Sequence, residues 1–462
     1  DLWGSVGVSL GAVGSAETEV WIPVVASSEG VGSSVWRSDV GLLNRSNFAN
    51  SVRMRLYRKD TFFDEEIELA PGEYRHIEDV MESFGKKGSG PLRVFSSEPL
   101  TTTSRTYNQA PTGTFGQHLD AVTSTGGIRQ GESAVLMQLR EDEIARTNIG
   151  ILNQWRRDAE VEVALYDGSS LPIAYFTKTI PAQQTVQINR PFADIGGRTD
   201  IESGYAVISV LSGQDIYAYG SVVDNATDDP TTVPMKLDPG SYNQWIAAAA
   251  HATGENDSLW RTDLSLLNRS GAQATAEVRY RGDDGAARNT MIVLQTGTQR
   301  LLEDVVAQLG VAGGGSLQVF SDQPVLVSSR TYNASDEGTF GQFLDGVQST
   351  HMAETGQTVW LSRLQQNEAY RTNVGLVNTG ELDATVKVEL FDAAGTRLAS
   401  RRRTLAPYQR LQLQEPFSRI AGRDDLDAAY ASVTVEAGEG IIAYASVIDN
   451  ATNDPTTVPM AF

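Results

Sequence analysis

Residues 145–168 read ARTNIGILNQWRRDAEVEVALYDG, and this stretch decides the fold class. Val161, Val163 and Leu165 alternate with charged or small residues, so they share one face of an extended strand. Asp167-Gly168 then supplies a hairpin turn. Equivalent apolar triplets occur three more times, at Val52/Met54/Leu56, Ala276/Val278/Tyr280 and Val386/Val388/Leu390. The sequence therefore predicts all-β sandwich domains of about seven half-buried strands each.

The same stretch reveals the organisation of the chain. ARTNIGILN (145–153) returns as YRTNVGLVN (370–378), an offset of 225, and WRSDVGLLN (36–44) returns as WRTDLSLLN (260–268), an offset of 224. DNATDDPTTVPM (224–235) also returns, as DNATNDPTTVPM (449–460). We therefore predict two copies of a two-domain unit: domain 1 (17–128), domain 2 (129–238), domain 3 (239–354) and domain 4 (355–462), preceded by residues 1–16.

One part of the repeat resembles a known class. TNVGLVNTGELDATVKVELFDAAGTRL (372–398) is similar to the wording of bacterial surface immunoglobulin-like repeats. The resemblance implies four tandem immunoglobulin-like sandwiches and an extracellular or cell-surface location. Such modules serve as stalks, spacers, adhesins and filament subunits, so the resemblance implies no activity.

Composition excludes several functions. The 462 residues carry a formal net charge of −21 and no cysteine. A polyanion repels phosphate backbones, which argues against nucleic acid as a partner. No apolar stretch reaches the ~18 residues of a membrane span, so we expect no membrane insertion. Without cysteine there are no disulfides, thiolate metal sites or thiol nucleophiles.

The histidines argue against catalysis. His118 aligns with Phe343 and His76 with Leu301 in the other copy, so neither recurs, and no common catalytic motif surrounds them. The sequence therefore predicts a protein that is not an enzyme and needs no cofactor.

An Arg-x-Asx pair is the most strongly repeated motif. Because residues i and i+2 share a strand face, the guanidinium and the Asx side chain can pair or cap a neighbouring loop. Recurrence in all four domains favours a structural role inside each domain. The pairs are Arg37/Asp39, Arg146/Asn148, Arg261/Asp263 and Arg371/Asn373.

A second motif, S-R-T-Y-N, occurs only in domains 1 and 3. It contains Arg105 and Tyr107 in the first copy and Arg330 and Tyr332 in the second. Either the tyrosine ties down a corner of its own sandwich, or these residues contact an adjoining domain.

Two loops suggest ligand sites. Asp224, Asp228 and Asp229, with Asp449 and Asp454, supply the oxygen ligands that Ca²⁺ prefers, although the same residues also suit a plain turn. Trp155 lies beside two arginines and has no repeat counterpart, so it is either a contact for a sugar or protein ligand or an edge-packing side chain.

Residues 1–16 (DLWGSVGVSLGAVGSA) have no counterpart before domain 3. Apolar residues alternate with Gly and Ser, which predicts a strand that needs a partner sheet. This partner is either domain 1 of the same chain or another copy, as in strand donation. We expect a homopolymer joined head to tail through this strand, with a surface adhesin that binds glycan or protein as the alternative. The expected polymerisation residues are Leu2, Trp3, Val6, Val8, Leu10 and Ala12.

Overall fold

The computed structural model describes residues 18–30, 34–59, 61–111, 113–336 and 338–462. The described residues are 66% strand and 5% helix, arranged in several antiparallel sheets. The predicted all-β sandwich class is therefore confirmed. Residues 1–16, with the six expected polymerisation residues, lie outside the described ranges.

Domains 1 and 3 are built alike. Domain 1 contains β1 (Thr18–Glu29), β2 (Val35–Asn44), β3 (Asn50–Arg58), β4 (Thr61–Leu69), β5 (Tyr74–Ile77), α1 (Val80–Ser83), β6 (Gly88–Ser96), β7 (Leu100–Ala110) and β8 (Gly113–Asp120). Domain 3 contains β18 (Ser241–Thr253), β19 (Leu259–Leu267), β20 (Ala274–Gly282), β21 (Ala287–Leu294), β22 (Gln299–Leu302), α3 (Val305–Gln308), β23 (Gly313–Ser335) and β24 (Gly338–Asp345). The long strand β23 corresponds to β6 and β7 joined.

Domains 2 and 4 repeat the same order. Domain 2 contains β9 (Ser133–Glu141), β10 (Ala145–Asn153), β11 (Ala159–Asp167), β12 (Pro172–Ile180), β13 (Thr185–Asn189), α2 (Pro191–Asp194), β14 (Ile201–Ser212), β15 (Ile216–Asp224), β16 (Pro230–Pro234) and β17 (Lys236–Leu237). Domain 4 contains β25 (Thr358–Gln366), β26 (Tyr370–Asn378), β27 (Ala384–Asp392), β28 (Arg397–Leu405), β29 (Arg410–Gln414), α4 (Pro416–Arg419), β30 (Leu426–Ala437), β31 (Ile441–Asp449) and β32 (Pro455–Pro459). Single 3₁₀ turns occupy Ser124–Gly126, Glu255–Asp257 and Ser349–His351.

All four domains share one topology. One layer has the strand order fourth-third-sixth-first and the other fifth-second-seventh-eighth, as in domain 4, where the orders are β28-β27-β30-β25 and β29-β26-β31-β32. In domains 1 and 3 the first and second strands also pair at one end, which joins the two layers into a continuous sheet. In an immunoglobulin domain the first strand joins the sheet of the second, and the seventh joins the sheet of the sixth. Here these two strands have exchanged sheets, and an eighth strand extends the second sheet.

The predicted inward faces are buried. Each residue of the four apolar triplets is at most 3% exposed, and each triplet lies in the core of its own domain. The period-two pattern therefore identified the core-facing side of the third strand correctly.

Short helical turns lie between the fifth and sixth strands. In domains 1 and 3 these turns are α1 and α3, and they lie in the segments 77–85 and 302–310, whose apolar residues have a helical spacing that predicts them. The sequence interpretation missed α2 and α4, which begin at Pro191 and Pro416. Proline in the first turn of a helix loses no hydrogen bond, and such a single turn is too short to show a helical period.

The four domains close into a ring in which domain 1 contacts domain 4. Tyr430 donates a hydrogen bond from its hydroxyl to the carbonyl of Gly72 (2.9 Å), and the counterpart Tyr205 donates to Gly297 (2.9 Å). The first contact joins domains 4 and 1, and the second joins domains 2 and 3. The duplicated halves are thus related by a pseudo-two-fold arrangement, in which each half binds the other through the same contacts.

Candidate functional site

The Arg-x-Asx motif lies on the second strand of each domain. Its Asx side chain accepts a hydrogen bond from the backbone N–H of the residue preceding the short helix, a residue held at positive φ (36° to 45°). The distances are 3.1 Å for Asp39 to Asp79, 3.2 Å for Asn148 to Arg190, 2.8 Å for Asp263 to Asp304 and 3.1 Å for Asn373 to Glu415. The Asx residue therefore fixes a left-handed turn that would otherwise be unfavourable for a non-glycine residue.

The motif arginines divide into two types. In domains 1 and 3 the guanidinium pairs with the carboxylate at the helix start, Arg37 with Asp79 at 2.9 Å and Arg261 with Asp304 at 3.2 Å. In domains 2 and 4 it reaches the acidic loop instead.

Arg146 donates to Asn225 (3.0 Å) and Asp228 (2.6 Å) in domain 2. Arg371 donates to Asn450 (2.7 Å) and Asn453 (2.8 Å) in domain 4. In both of these domains the motif arginine therefore holds the acidic loop in shape from inside its own domain.

The acidic loop of domain 4 binds the β7–β8 hairpin of domain 1. Asp449 accepts hydrogen bonds from the backbone N–H (2.9 Å) and the hydroxyl (3.0 Å) of Thr114. Asp454 accepts one from the N–H of Gly116 (2.8 Å) and lies 3.3 Å from the guanidinium of Arg105. These bonds join domain 1 to domain 4, so they close the ring.

The acidic loop of domain 2 binds domain 3 in the same way. Asp224 accepts from the N–H (3.0 Å) and hydroxyl (2.7 Å) of Thr339, and Asp229 accepts from the N–H of Gly341 (2.8 Å). Arg330 lies 3.6 Å from Asp229. The two contacts are therefore equivalent under the pseudo-two-fold relation.

This geometry corrects the calcium interpretation. Asp224, Asp229, Asp449 and Asp454 are committed to hydrogen bonds with a neighbouring domain, and Asp228 pairs with Arg146. Across the described ranges no group of three or more His, Cys, Asp or Glu residues is arranged to hold a metal ion. Composition alone could not separate a calcium loop from a loop whose carboxylates receive N–H groups from another domain.

Burial makes the two central carboxyl groups weaker acids than usual. Asp229 and Asp454 are fully buried. Burial raises the pKa of Asp229 to about 7, although Arg330 opposes the rise. Burial, reinforced by the charge of Asp229, raises the pKa of Asp454 well above its usual value, and Arg105 opposes it. Each acidic residue is therefore stabilised in its ionised form mainly by one arginine of the partner domain.

The two hairpins also meet each other at the centre of the ring. The rings of Phe115 and Phe340 stack with centroids 5.2 Å apart. Gln117 donates a hydrogen bond to the carbonyl of Gly341. Domains 1 and 3 therefore touch directly, through the GTFGQ segments that the sequence repeats.

The S-R-T-Y-N motif combines both predicted roles. The Tyr107 hydroxyl donates to Asp39 (3.2 Å) and that of Tyr332 to Asp263 (3.3 Å), each within its own domain. The arginines of the same motif make the contacts to domains 4 and 2 described above. Since Tyr and Arg are two positions apart and share a strand face, one strand carries both contacts.

The remaining predicted sites show no comparable assembly. Trp155 is half-buried, its backbone bonded to Asn153 (2.9 Å) and Gln183 (3.1 Å), with Arg157 stacked 5.7 Å from its ring centroid. His118 lies 2.9 Å from Asp120, and His76 lies 3.4 Å from Asp39. None of the helices in the described part of the chain is long and apolar enough to cross a membrane.

Comparison with known proteins leaves the family open. No family model matches the sequence, and no curated protein matches it. A Thermotoga maritima protein, 1070, aligns at 12% identity over 23% of this chain and 94% of its own, with a TM-score of 0.21. A tetra-tandem repeat from the extending region of a large adhesion protein aligns at 9% identity over 90% of this chain and 91% of its own, with a TM-score of 0.11. A glycoside hydrolase family 32 protein from Bifidobacterium adolescentis aligns at 9% identity over 95% of both chains, with a TM-score of 0.15. TM-scores this low support no argument about fold or function.

Proposed function

We propose that the chain is a non-enzymatic structural protein of the cell surface, whose ring of domains assembles with other copies through residues 1–16. The surface location follows from the resemblance to bacterial surface repeats. The observation that carries the assembly step is an unprotected outer sheet edge, which belongs to β21 in domain 3.

In each of the four domains the fourth strand forms an outer edge of the sheet. Among the described strands it pairs only with the third strand of its domain. Exposed sheet edges are normally protected by charge or proline, because unpaired N–H and C=O groups recruit other strands. β4 carries four carboxylates between Asp64 and Glu68, β12 begins at Pro172, and β28 carries three arginines at 401–403. Only β21 of these four has no charge in its last six residues, NTMIVL (289–294).

The β21 edge is also apolar on its outer face. Met291 and Val293 are each 58% exposed, and Phe320 lies in the same row as Met291, across Glu277, at 48% exposed. An uncharged donor strand such as residues 2–12 matches this surface better than it matches the charged edges. Backbone hydrogen bonds would supply affinity, and side chains such as Val6, Val8 and Leu10 would supply the apolar contact.

Side-chain burial alone is insufficient. Four buried apolar side chains contribute on the order of 6–12 kcal/mol. Ordering a dozen residues costs more than ~1 kcal/mol each. A second contact between rings must therefore accompany strand addition.

The experiment uses the full chain with introduced cysteines, since the sequence has none. Val293→Cys combined with Val6→Cys, Val8→Cys or Leu10→Cys should give oligomers that form only under oxidising conditions. Deletion of 1–16 should leave single rings by analytical ultracentrifugation, and Val293→Lys should do the same. Tyr175→Lys on the β12 edge is the matched control and should still assemble. Persistent oligomers after the deletion would refute assembly through this segment, and persistence only in Val293→Lys would refute β21 as the acceptor.

A second candidate function is ligand binding between domains 3 and 4. A cavity of about 460 Å³ there is lined by Trp260, Arg371, Asn373, Arg410 and the amides of Gln412 and Gln414. Aromatic, amide and guanidinium groups together suit a saccharide. At the 1–2 junction Thr185, the counterpart of Arg410, instead bonds directly to the carbonyl of Pro23. A glycan array on the wild type and on Trp260→Ala would test this adhesin candidate, which requires binding that the variant loses.

A further inference from the structure

The junction of domains 1 and 4 contains a buried arginine with no counter-charge in contact. Arg363 lies on β25, is 2% exposed, and adopts a positive φ of 61°. Its Nε and Nη2 atoms are buried without a hydrogen-bond partner in the described part of the chain. Leaving a guanidinium unpaired in a protein interior is costly, so this group needs an explanation.

Two buried hydroxyls of domain 1 lie beside it. Those of Tyr74 and Thr103 make no bond of normal geometry to the described residues, although they lie close enough to interact with each other and the Tyr74 oxygen faces the backbone N–H of Arg363. Both lie near Gly41, since a Cβ placed there would be 2.4 Å from the Tyr74 hydroxyl and 2.6 Å from that of Thr103. The Arg363 charge reaches Tyr74, because it opposes the rise that burial imposes on the pKa of that phenol. β25 packs on β2 and β7, the strands that carry Gly41 and Thr103.

The nearest carboxylate is already occupied. Asp39 accepts hydrogen bonds from the Asp79 N–H (3.1 Å) and the Tyr107 hydroxyl (3.2 Å), and faces His76 at 3.4 Å. Burial is the main reason that the pKa of Arg363 falls to about 10. The nearby charge of a second cation, Arg105, contributes to this fall. The charge of Asp39 opposes this fall in the pKa of Arg363, but no described carboxylate bonds to its Nε or Nη2 atom.

The duplicate junction, between domains 2 and 3, provides an internal comparison. Gln138 takes the place of Arg363, with a similar φ of 57°, and Gln299 takes the place of Tyr74. There the Gln138 amide oxygen accepts from Ser328 (2.9 Å), and its backbone N–H donates to Gln299 (2.9 Å). Gln138, Gln299 and Ser328 therefore bond to one another at the neutral junction, although Ser265 Oγ beside them has no partner among the described residues, whereas no such bonds reach Nε or Nη2 of Arg363.

We propose that the 1–4 junction binds a small monovalent inorganic anion, of the size of chloride, against the Nε and Nη2 edge of Arg363 and the hydroxyls of Tyr74 and Thr103. One negative charge neutralises one guanidinium, and an anion accepts from every donor present. The anion would lie between the first and last domains and would stabilise the closed ring. This site is independent of the proposed assembly through residues 1–16.

The test measures thermal unfolding of the full chain as sodium chloride replaces sodium gluconate at constant ionic strength. Gluconate serves as the reference because it carries the same charge as chloride but is far larger. Above the dissociation constant, each tenfold increase in chloride should raise the folded-to-unfolded ratio about tenfold. Arg363→Gln, which installs the residue of the duplicate junction, should abolish this dependence. Arg402→Gln, at an exposed arginine, should retain it.

A second readout remains if Arg363→Gln fails to fold. Tyr74→Phe should weaken the chloride response, and bromide-soaked crystals of the wild type should show an anomalous peak beside Arg363. A chloride response that is absent from the wild type, or equal in wild type and Arg363→Gln, would overturn the proposal and assign the unbonded donors to water.

Discussion

Replacing Arg105 by methionine should destabilise the protein by an amount that depends on pH. Arg105 donates to Thr456 (3.0 Å) and Thr114 (2.9 Å) and faces Asp454 at 3.3 Å. Where Asp454 is protonated, the variant loses two hydrogen bonds, or roughly 2 kcal/mol. Where Asp454 is ionised, it also leaves a buried carboxylate without its cation, and the loss should reach about 3–5 kcal/mol.

Urea denaturation of Arg105→Met and of the wild type at a series of pH values measures this difference. Arg330→Met is a matched variant, since its guanidinium lies 3.6 Å from Asp229 in the duplicate contact. The double variant Arg105→Met/Asp454→Asn should recover part of the loss at the higher pH, because it removes the orphaned charge. A loss that is independent of pH, or single effects that simply add, would refute the assignment of this pair as the electrostatic contact that closes the ring.

Three shorter predictions concern the same loops. Because the pKa of Asp229 is raised to about 7, the folded state holds a proton between about pH 4 and 7 that the unfolded state has released. The free energy of unfolding should therefore fall as the pH rises from about 4 to 7, and Asp229→Asn should flatten this slope in thermal melts at several pH values. Arg146→Ala should lower the unfolding free energy by roughly 1–3 kcal/mol in urea titrations, since Asn225 and Asp228 lose their partner, whereas a change near zero would contradict its role in holding the loop. Chelator should leave the melting temperature unchanged, and a drop that Asp228→Asn reproduces would restore the calcium interpretation.

The sequence predicted the sandwich class because its signal is local. Each apolar triplet alternates within a single strand, so no knowledge of distant contacts was needed to place Val163 or Val388 in a core. The exchange of the first and seventh strands between sheets has no such local signal. Either partner sheet would bury the same face, so the pattern does not distinguish the two topologies.

The junctions were predictable only in part. The repetition of Asp224 as Asp449 marks the acidic loops in the sequence. The loops themselves do not identify their partners, because Thr114 and Gly116 lie more than 300 residues away from Asp449 and Asp454 in the chain. Repetition in both halves was compatible with a metal loop, a turn or a domain contact. The TFGQ repeat is a usable sequence signal for the contact at the centre, where Phe115 and Phe340 stack. Arg363 carried no signal, because an arginine on a strand is ordinarily exposed.

The reciprocal pairing of domain 1 with domain 4 and of domain 3 with domain 2 has a genetic consequence. In a dimer of separate identical chains every substitution occurs twice, so two symmetry-related junctions cannot differ. In a fused chain each junction is encoded separately and can drift on its own. The pairs Gln138/Arg363 and Thr185/Arg410 record such divergence, one at each kind of junction. Fusion has therefore turned a symmetric pair into a molecule whose two sides can be selected for different tasks.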